Sequence, residues 1–220
     1  MSALKTQFEL NETTRFEEEM HPSVRSFPKR ALDLTGAVVG LTFTTCILPF
    51  IAAAIYLEDR GPIFFSQPRV GLRGKQFMIW KFRSMVPDSD RRKLAVAGYS
   101  YAFFNVRKDA RVTRVGNFLR KTSLDEFPQF WNVLKGEMSL VGTRPPTLDE
   151  VKHYSAEQWK RLLVRPGITG LWQASGKRHL KEFEAVFALD MEYQEHWSFG
   201  YDIGLILKTL LAILFRPKAL

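Results

Sequence analysis

From Ala31 to Leu57 the chain reads ALDLTGAVVGLTFTTCILPFIAAAIYL, an apolar run whose one charge, Asp33, lies one turn inside its start. About 20 apolar residues suffice to cross a bilayer core, so the run is long enough for membrane insertion. A buried core helix is the plainer reading, but the length of the run and the lack of a polar stripe weigh against it. Pro49 sits near the middle. A proline there removes one backbone hydrogen bond and crowds the carbonyl of Thr45, which predicts a kink at Leu48-Pro49. The hydroxyls of Thr42, Thr44 and Thr45 are placed to satisfy carbonyls freed in that turn. Lys29 and Arg30 precede the run and Glu58, Asp59 and Arg60 follow it, so basic residues flank both ends and give no clear positive-inside asymmetry. Two geometries fit: a helix that enters, bends and returns to the same face, and a kinked helix that spans.

Outward from this run the organisation is simple. Residues 1–28 are polar, with Glu17, Glu18 and Glu19 clustered and Pro22 and Pro28 interrupting, and read as a mobile tail. No basic-then-apolar pattern begins at Met1, so it is not a secretory signal peptide. Residues 29–60 form the membrane helix. Residues 61–220 are long enough for one compact domain. The formal charge of the 220-residue chain is +9. A basic surface attracts nucleic acid, anionic lipid or phosphorylated substrates, and it also serves plain solubility. The single cysteine, Cys46, excludes a disulfide framework, and the four histidines (His21, His153, His179, His196) lack the spacing of a zinc site.

After the apolar run comes a hairpin: Ile63-Phe64-Phe65 and Phe77-Met78-Ile79-Trp80-Lys81-Phe82, joined through Gly71-Leu72-Arg73-Gly74. Alternation puts Met78, Trp80 and Phe82 on one face and Lys81 and Arg83 on the other, either as a phosphate grip or as a solvated face. Residues 84–105 are weakly patterned, and Asp88 and Asp90 read as a turn. A basic stretch follows, Arg107, Lys108, Arg111, Arg114, Arg120 and Lys121.

That stretch leads into Ser123-Leu124-Asp125-Glu126, ahead of a helical pattern with Phe127, Phe130, Trp131 and Leu134 on one face and Gly136 where a helix would stop. Ser-x-x-Glu is a capping box, which accounts for Glu126 without chemistry. The same placement puts Asp125 at the positive end of the helix, which favours its ionised form and lowers its pKa. An ionised Asp125 is then a nucleophile toward phosphorus or a magnesium ligand, in the cationic surroundings that phosphoryl transfer requires. Gly142-Thr143-Arg144-Pro145-Pro146 and Arg165-Pro166-Gly167-Ile168-Thr169-Gly170 present arginines from stiff loops, a geometry suited to bidentate phosphate binding. The apolar stretch from Asp202 to Phe215 is short for a span and suits either core packing or the membrane interface.

In order along the chain, Lys29-Arg30-Ala31-Leu32-Asp33, Lys81-Phe82-Arg83-Ser84-Met85, Ser123 to Gln129, Asn132 to Ser139, Gly142-Thr143-Arg144-Pro145 and Arg165 to Gly170 resemble the bacterial sugar transferase family, the monotopic phosphoglycosyl transferases. The resemblance covers about residues 29–215. It implies a mostly helical α/β (α+β) compact catalytic domain with a small β-hairpin, anchored on the cytoplasmic face of the bacterial inner membrane by a re-entrant helix kinked at Pro49. It also implies transfer of a sugar 1-phosphate from a UDP-sugar to polyprenol (undecaprenyl) phosphate, with UMP released, as the first membrane step of exopolysaccharide or a related glycan. Asp125 is the implied nucleophile, with Mg2+ beside it and Glu126 assisting. Lys81, Arg83, Arg120, Arg144, Lys177 and Arg178 are the implied phosphate-binding residues. Inner-membrane lipid and downstream glycosyl transferases are the further partners implied, and nucleic acid is not. Thr143 and Phe127 stand where the family usually has proline and leucine, and Lys177-Arg178 where one arginine usually follows Ser-Gly. Trp172-Gln173 resembles the variant found in hexose-1-phosphate transferases, and the chain resembles the minimal form without an amino-terminal multi-span domain. Two rivals from the residues themselves are a basic scaffold that binds anions without chemistry and an ordinary glycosyl transferase that releases UDP.

Overall fold

The computed structural model describes residues 20–87, 111–175 and 183–215. The expectations for Glu17 to Glu19, the turn at Asp88 and Asp90, the cations Arg107 and Lys108, and the pair Lys177-Arg178 fall outside the described residues.

The polar tail ends sooner than residue 28. A single turn, α1 (Pro22–Arg25), is capped by His21, and the other ring nitrogen of His21 lies 2.9 Å from the carbonyl oxygen of Gln194. The long helix α2 (Phe27–Asp59) starts from a Ser26 cap and stops at Arg60, which adopts the left-handed conformation. At about 1.5 Å per residue it is about 50 Å long. Its buried positions, Lys29, Asp33, Ala37, Gly40, Thr44, Ile51 and Ile55, form one stripe that faces the domain along the whole helix. Leu34, Val38, Val39, Phe43, Phe50, Tyr56 and Leu57 are exposed, so most of its apolar surface is turned outward. Close approach needs small residues: a Cβ at Gly40 would overlap the Phe130 ring, and one at Gly36 would overlap Leu140.

The helix runs through Pro49 without a break. Ile47 and Leu48 before the proline and Ile51 and Ile55 after it pack into the same cluster with Phe82 and Leu119, which holds the two halves together. The threonine hydroxyls do not serve Pro49. Thr42, Thr44 and Thr45 donate to the carbonyls of Val38, Gly40 and Leu41, ahead of the Thr45 carbonyl that the proline leaves bare.

The predicted hairpin is present as β1 (Phe64–Val70) and β2 (Gln76–Phe82), antiparallel, with a 3-10 turn over Leu72–Gly74. Phe77 and Ile79 face the core with Ala37, Val133 and Met138, while Met78 and Trp80 are exposed. The helix α3 (Arg114–Thr122) leads through a 3-10 segment (Leu124–Gln129) into α4 (Phe130–Lys135), which ends at Gly136 in the left-handed conformation. The sequence reading did not include a second small sheet, in which β3 (Ser139–Val141) and β4 (Gly167–Thr169) pair in parallel. Gly142 and Gly167 are forced by this pairing, since a Cβ on either would overlap the backbone opposite. Of two short helices, α5 (Leu148–Val151) packs on β1 beside Val70 and α6 (Leu171–Ala174) packs on the second sheet beside Val141, and α7 (Phe183–Glu195) and α8 (Phe199–Leu214) complete the domain. Leu205 and Asp202 point inward, whereas Phe199, Ile203, Leu207, Leu210, Leu211 and Phe215 are exposed.

Candidate active site

Asp125 and Glu126 lie in the 3-10 segment, directly after the end of α3. The expected capping box is absent. Ser123 closes α3 in the left-handed conformation (φ 59°), and its side chain makes no cap hydrogen bond. Glu126 instead accepts a 2.9 Å hydrogen bond from the Nζ of Lys81, across from β2. Lys81 therefore shares the inward face of β2 with Phe77 and Ile79.

The expected pKa of Asp125 is also reversed. Burial pushes its carboxyl up to about 6, and the negative charge of Glu126 adds to this, against opposition from Lys81 and Arg120. Six 3-10 residues and a left-handed Ser123 do not present the aligned first turn on which a dipole argument depends. The carboxyl is 8% exposed, so desolvation dominates.

Two elements hold the cations. Arg120, on the last turn of α3, donates from Nε to the Ser84 hydroxyl at 2.8 Å. The amino end of α3 is capped from α2: Glu58 accepts from the backbone amides of Arg114 and Val115 at 2.7 and 3.0 Å. Arg144 sits on the loop after β3 and pairs with Glu150 at 3.3 Å. Glu150 is itself part of a true capping box with Thr147 at the start of α5.

Arg83 has a different role from that expected. It is buried and ion-paired with Asp59 at the carboxyl end of α2. Strand β2 ends at Phe82, so the alternation that would align Arg83 with Lys81 has already lapsed. Arg165 likewise donates to the carbonyls of Gly136 and Val24, as a brace between elements. Thr143, where a proline was expected, is buried and donates its hydroxyl to the Arg161 carbonyl at 3.3 Å.

Sequence reasoning missed three residues that build the site. Asn132, fully buried, accepts from the Trp80 amide at 3.2 Å and donates to the Met78 carbonyl at 2.7 Å, tying the open edge of β2 to α4. Arg161 is also fully buried. It donates to Asp190 at 2.6 Å, to the Tyr154 hydroxyl at 2.6 Å and to the Arg144 carbonyl at 3.3 Å. Arg69, on β1, donates to the Pro145 carbonyl at 3.0 Å, holding the same loop from the other side. Only the tertiary fold brings these partners together.

Among the described residues there is no cluster of three or more His, Cys, Asp or Glu side chains placed to hold a metal. A magnesium ion commonly takes only one or two carboxylates and completes its shell with water and substrate phosphate. The neighbouring Asp125 and Glu126 carboxylates, whose repulsion a cation would relieve, are hard-oxygen donors of that kind.

A model of the family described as bacterial sugar transferase matches residues 24–216. The galactosyl transferase CpsE of Streptococcus agalactiae is 47% identical over 194 residues, which cover 87% of this chain and 43% of that protein. The undecaprenyl-phosphate galactose phosphotransferase of Salmonella typhimurium is 38% identical, over 88% of this chain and 42% of its own length. The exopolysaccharide production protein ExoY of Sinorhizobium fredii is 37% identical, over 84% of both chains. The chain thus spans about two fifths of CpsE and of the Salmonella phosphotransferase, and most of ExoY.

Proposed function

Since the chain belongs to the bacterial sugar transferase family, we propose that it moves a sugar 1-phosphate from a UDP-hexose to polyprenol phosphate, releasing UMP. The observation that carries this reading is the adjacent carboxylate pair of buried Asp125 and half-exposed Glu126, flanked by Lys81 and Arg120. The name of the Salmonella protein gives galactose phosphotransfer to undecaprenyl phosphate for that protein, and ExoY is named for exopolysaccharide production.

Asp125, once ionised, attacks the phosphorus that carries the sugar. The bond from that phosphorus to the bridging oxygen breaks, UMP departs, and an aspartyl phospho-sugar remains. The phosphate oxygen of polyprenol phosphate then attacks the same phosphorus and Asp125 leaves, giving a polyprenyl diphosphate sugar. Glu126 accepts the Lys81 hydrogen bond and sets the local charge that tunes Asp125. Lys81, Arg120 and Arg144 neutralise phosphate oxygens. A magnesium ion held by Asp125 would add charge neutralisation at the diphosphate.

The same reading sets α2 in the cytoplasmic leaflet of the inner membrane. Both its ends are tied to one domain, by Lys29 to Asp202 and by Asp59 to Arg83, which supports a helix kept at one face of the bilayer over one that spans. The exposed apolar face of α8 suits the interface of the same leaflet.

The test is nucleotide release from UDP-hexoses, with Mg2+ and polyprenol phosphate, by the wild type and by Asp125→Asn. UMP from the wild type and none from the variant supports phospho-sugar transfer through Asp125. UDP as the product would replace it with ordinary glycosyl transfer, and no release from any UDP-hexose would count against both.

A further inference from the structure

Two arginines grip the loop that carries Arg144, Arg161 fully buried and Arg69 half-buried, and they are provided for very differently. Arg161 holds the Arg144 carbonyl and is neutralised by Asp190 at 2.6 Å, with Tyr154 accepting a further N–H. Arg69 holds the Pro145 carbonyl at 3.0 Å, and its other partner is the neutral Gln67 side chain at 2.9 Å. An arginine has five N–H donors; two of those on Arg69 are engaged. Its Nε is buried and meets no acceptor. Among the described residues no carboxylate lies within ion-pair distance of it.

A guanidinium in that position is costly, because desolvation without an anion leaves its charge uncompensated. Its neighbourhood increases the cost. Burial pushes the Arg69 pKa down to about 10, and the like charge of Arg144 pushes in the same direction. Glu150 and Glu126 pull it back, but each is already engaged, by Arg144 and by Lys81. Arg69 therefore lies within electrostatic reach of Glu126, the neighbour of Asp125, and beside a second guanidinium, with donors to spare.

We propose that Arg69 and Arg144 together form a two-guanidinium seat for a substrate phosphate, so that Arg69 binds substrate as well as bracing the loop. This rests on the reading of the chain as a phospho-sugar transferase. The ligand chemistry is a phosphate dianion or diphosphate, which both the nucleotide-sugar and the lipid phosphate can offer. Binding supplies the countercharge that Asp190 gives to Arg161.

The experiment compares wild type, Arg69→Gln and Arg69→Lys in the full chain. Gln retains a donor for the Pro145 carbonyl and removes the charge; Lys retains the charge. Half-saturation is measured for UDP-hexose in the UMP burst without carrier, and for polyprenol phosphate in the complete reaction. Arg69→Gln is expected to raise one of the two by about 10- to 100-fold, the size of a lost charged hydrogen bond, with partial recovery in Arg69→Lys. A rise for UDP-hexose identifies the donor diphosphate as the occupant, and a rise for the lipid identifies the carrier phosphate. Unchanged half-saturation constants in both variants, with only the maximal rate or the melting temperature lowered, would overturn the seat and leave Arg69 a brace. A parallel measurement needs no turnover: the rise in melting temperature caused by inorganic pyrophosphate and by polyprenol phosphate. At least one of these is expected to stabilise wild type and not Arg69→Gln. Equal stabilisation by each, or none, sinks the proposal even where UMP is released. A difference upholds it even where no UMP appears and the parent reaction fails.

Discussion

Lys29 and Asp202 stand 173 residues apart in sequence and meet at 2.6 Å in the interior, their side chains 6% and 0% exposed. The pair joins the start of α2 to the start of α8, and around it Tyr193 and Trp197 donate to Asp202 while Lys29 also donates to the Val141 carbonyl. Lys29→Met would leave the Asp202 carboxylate buried without its cation. A loss of about 3–5 kcal/mol is expected, read as a lowered urea midpoint in detergent micelles. A loss below about 1 kcal/mol would mean that Tyr193 and Trp197 alone sustain the charge.

The raised pKa of Asp125 gives two linked expectations. On the proposed function, the UMP burst without carrier, which avoids titration of the lipid phosphate, should fall on its acid side around pH 6 as Asp125 takes up a proton. Lys81→Met should move that limb upward, because Lys81 opposes the shift. An acid limb near pH 4 in the wild type would contradict the burial of this carboxyl.

Stability responds in the opposite sense to the usual ion-paired carboxylate. Because the folded pKa lies above the ordinary 3.8, the folded state holds its proton longer, and stability falls as pH rises from about 4 through about 6. Asp125→Asn removes that penalty. That variant should be more stable than wild type by on the order of 2 kcal/mol at pH 8, with the gain gone by pH 4. Thermal melts at the two pH values decide the matter.

Asn132→Ala would strip the Trp80 amide and the Met78 carbonyl of their partner in the interior. Each orphaned group costs about 1–3 kcal/mol, so a loss of about 2–6 kcal/mol is expected. Lys81 is carried on the strand that Asn132 fixes, so the burst rate should fall as well. A variant that melts like wild type would show that water replaces the amide.

Glycines divide sharply. A Cβ at Gly204 meets nothing within 4 Å, and the residue lies within α8, so Gly204→Ala should add about 0.5–1 kcal/mol. At Gly167 a Cβ would overlap the backbone of Gly142 and Thr169, and Gly167→Ala should cost more than about 3 kcal/mol or abolish folding. Circular dichroism melts of both variants distinguish the two surfaces.

Much of this architecture was legible in the chain. The apolar run, the hairpin with its Gly71–Gly74 turn and the helix stop at Gly136 are local features, set by periodicity and by residues that tolerate left-handed backbone. The site was legible mainly through resemblance. Local reasoning went astray where a neighbour intervened: Ser123 was read as a helix start because its role as the end of α3 depends on the turn before it. Arg83 was grouped with Lys81 because alternation does not announce where a strand ends. Strands β3 and β4 have three residues each, too few to carry a period, and they pair only because the intervening chain brings them together. Asn132, Arg161 and Arg69 are ordinary polar residues until their distant partners are known.

The cap that Glu58 places on α3 has a practical consequence for engineering. The long apolar helix α2 is not an interchangeable element, because its last turn closes the helix on whose far end Arg120 stands. A chimera that swaps residues 27–59 for a generic hydrophobic helix would keep the apolar surface while losing the joint that aligns this cation. Any soluble redesign must keep Glu58 and Asp59 in register with α3 and Arg83, and place its new polar residues only at outward positions such as Val38, Val39 and Phe50.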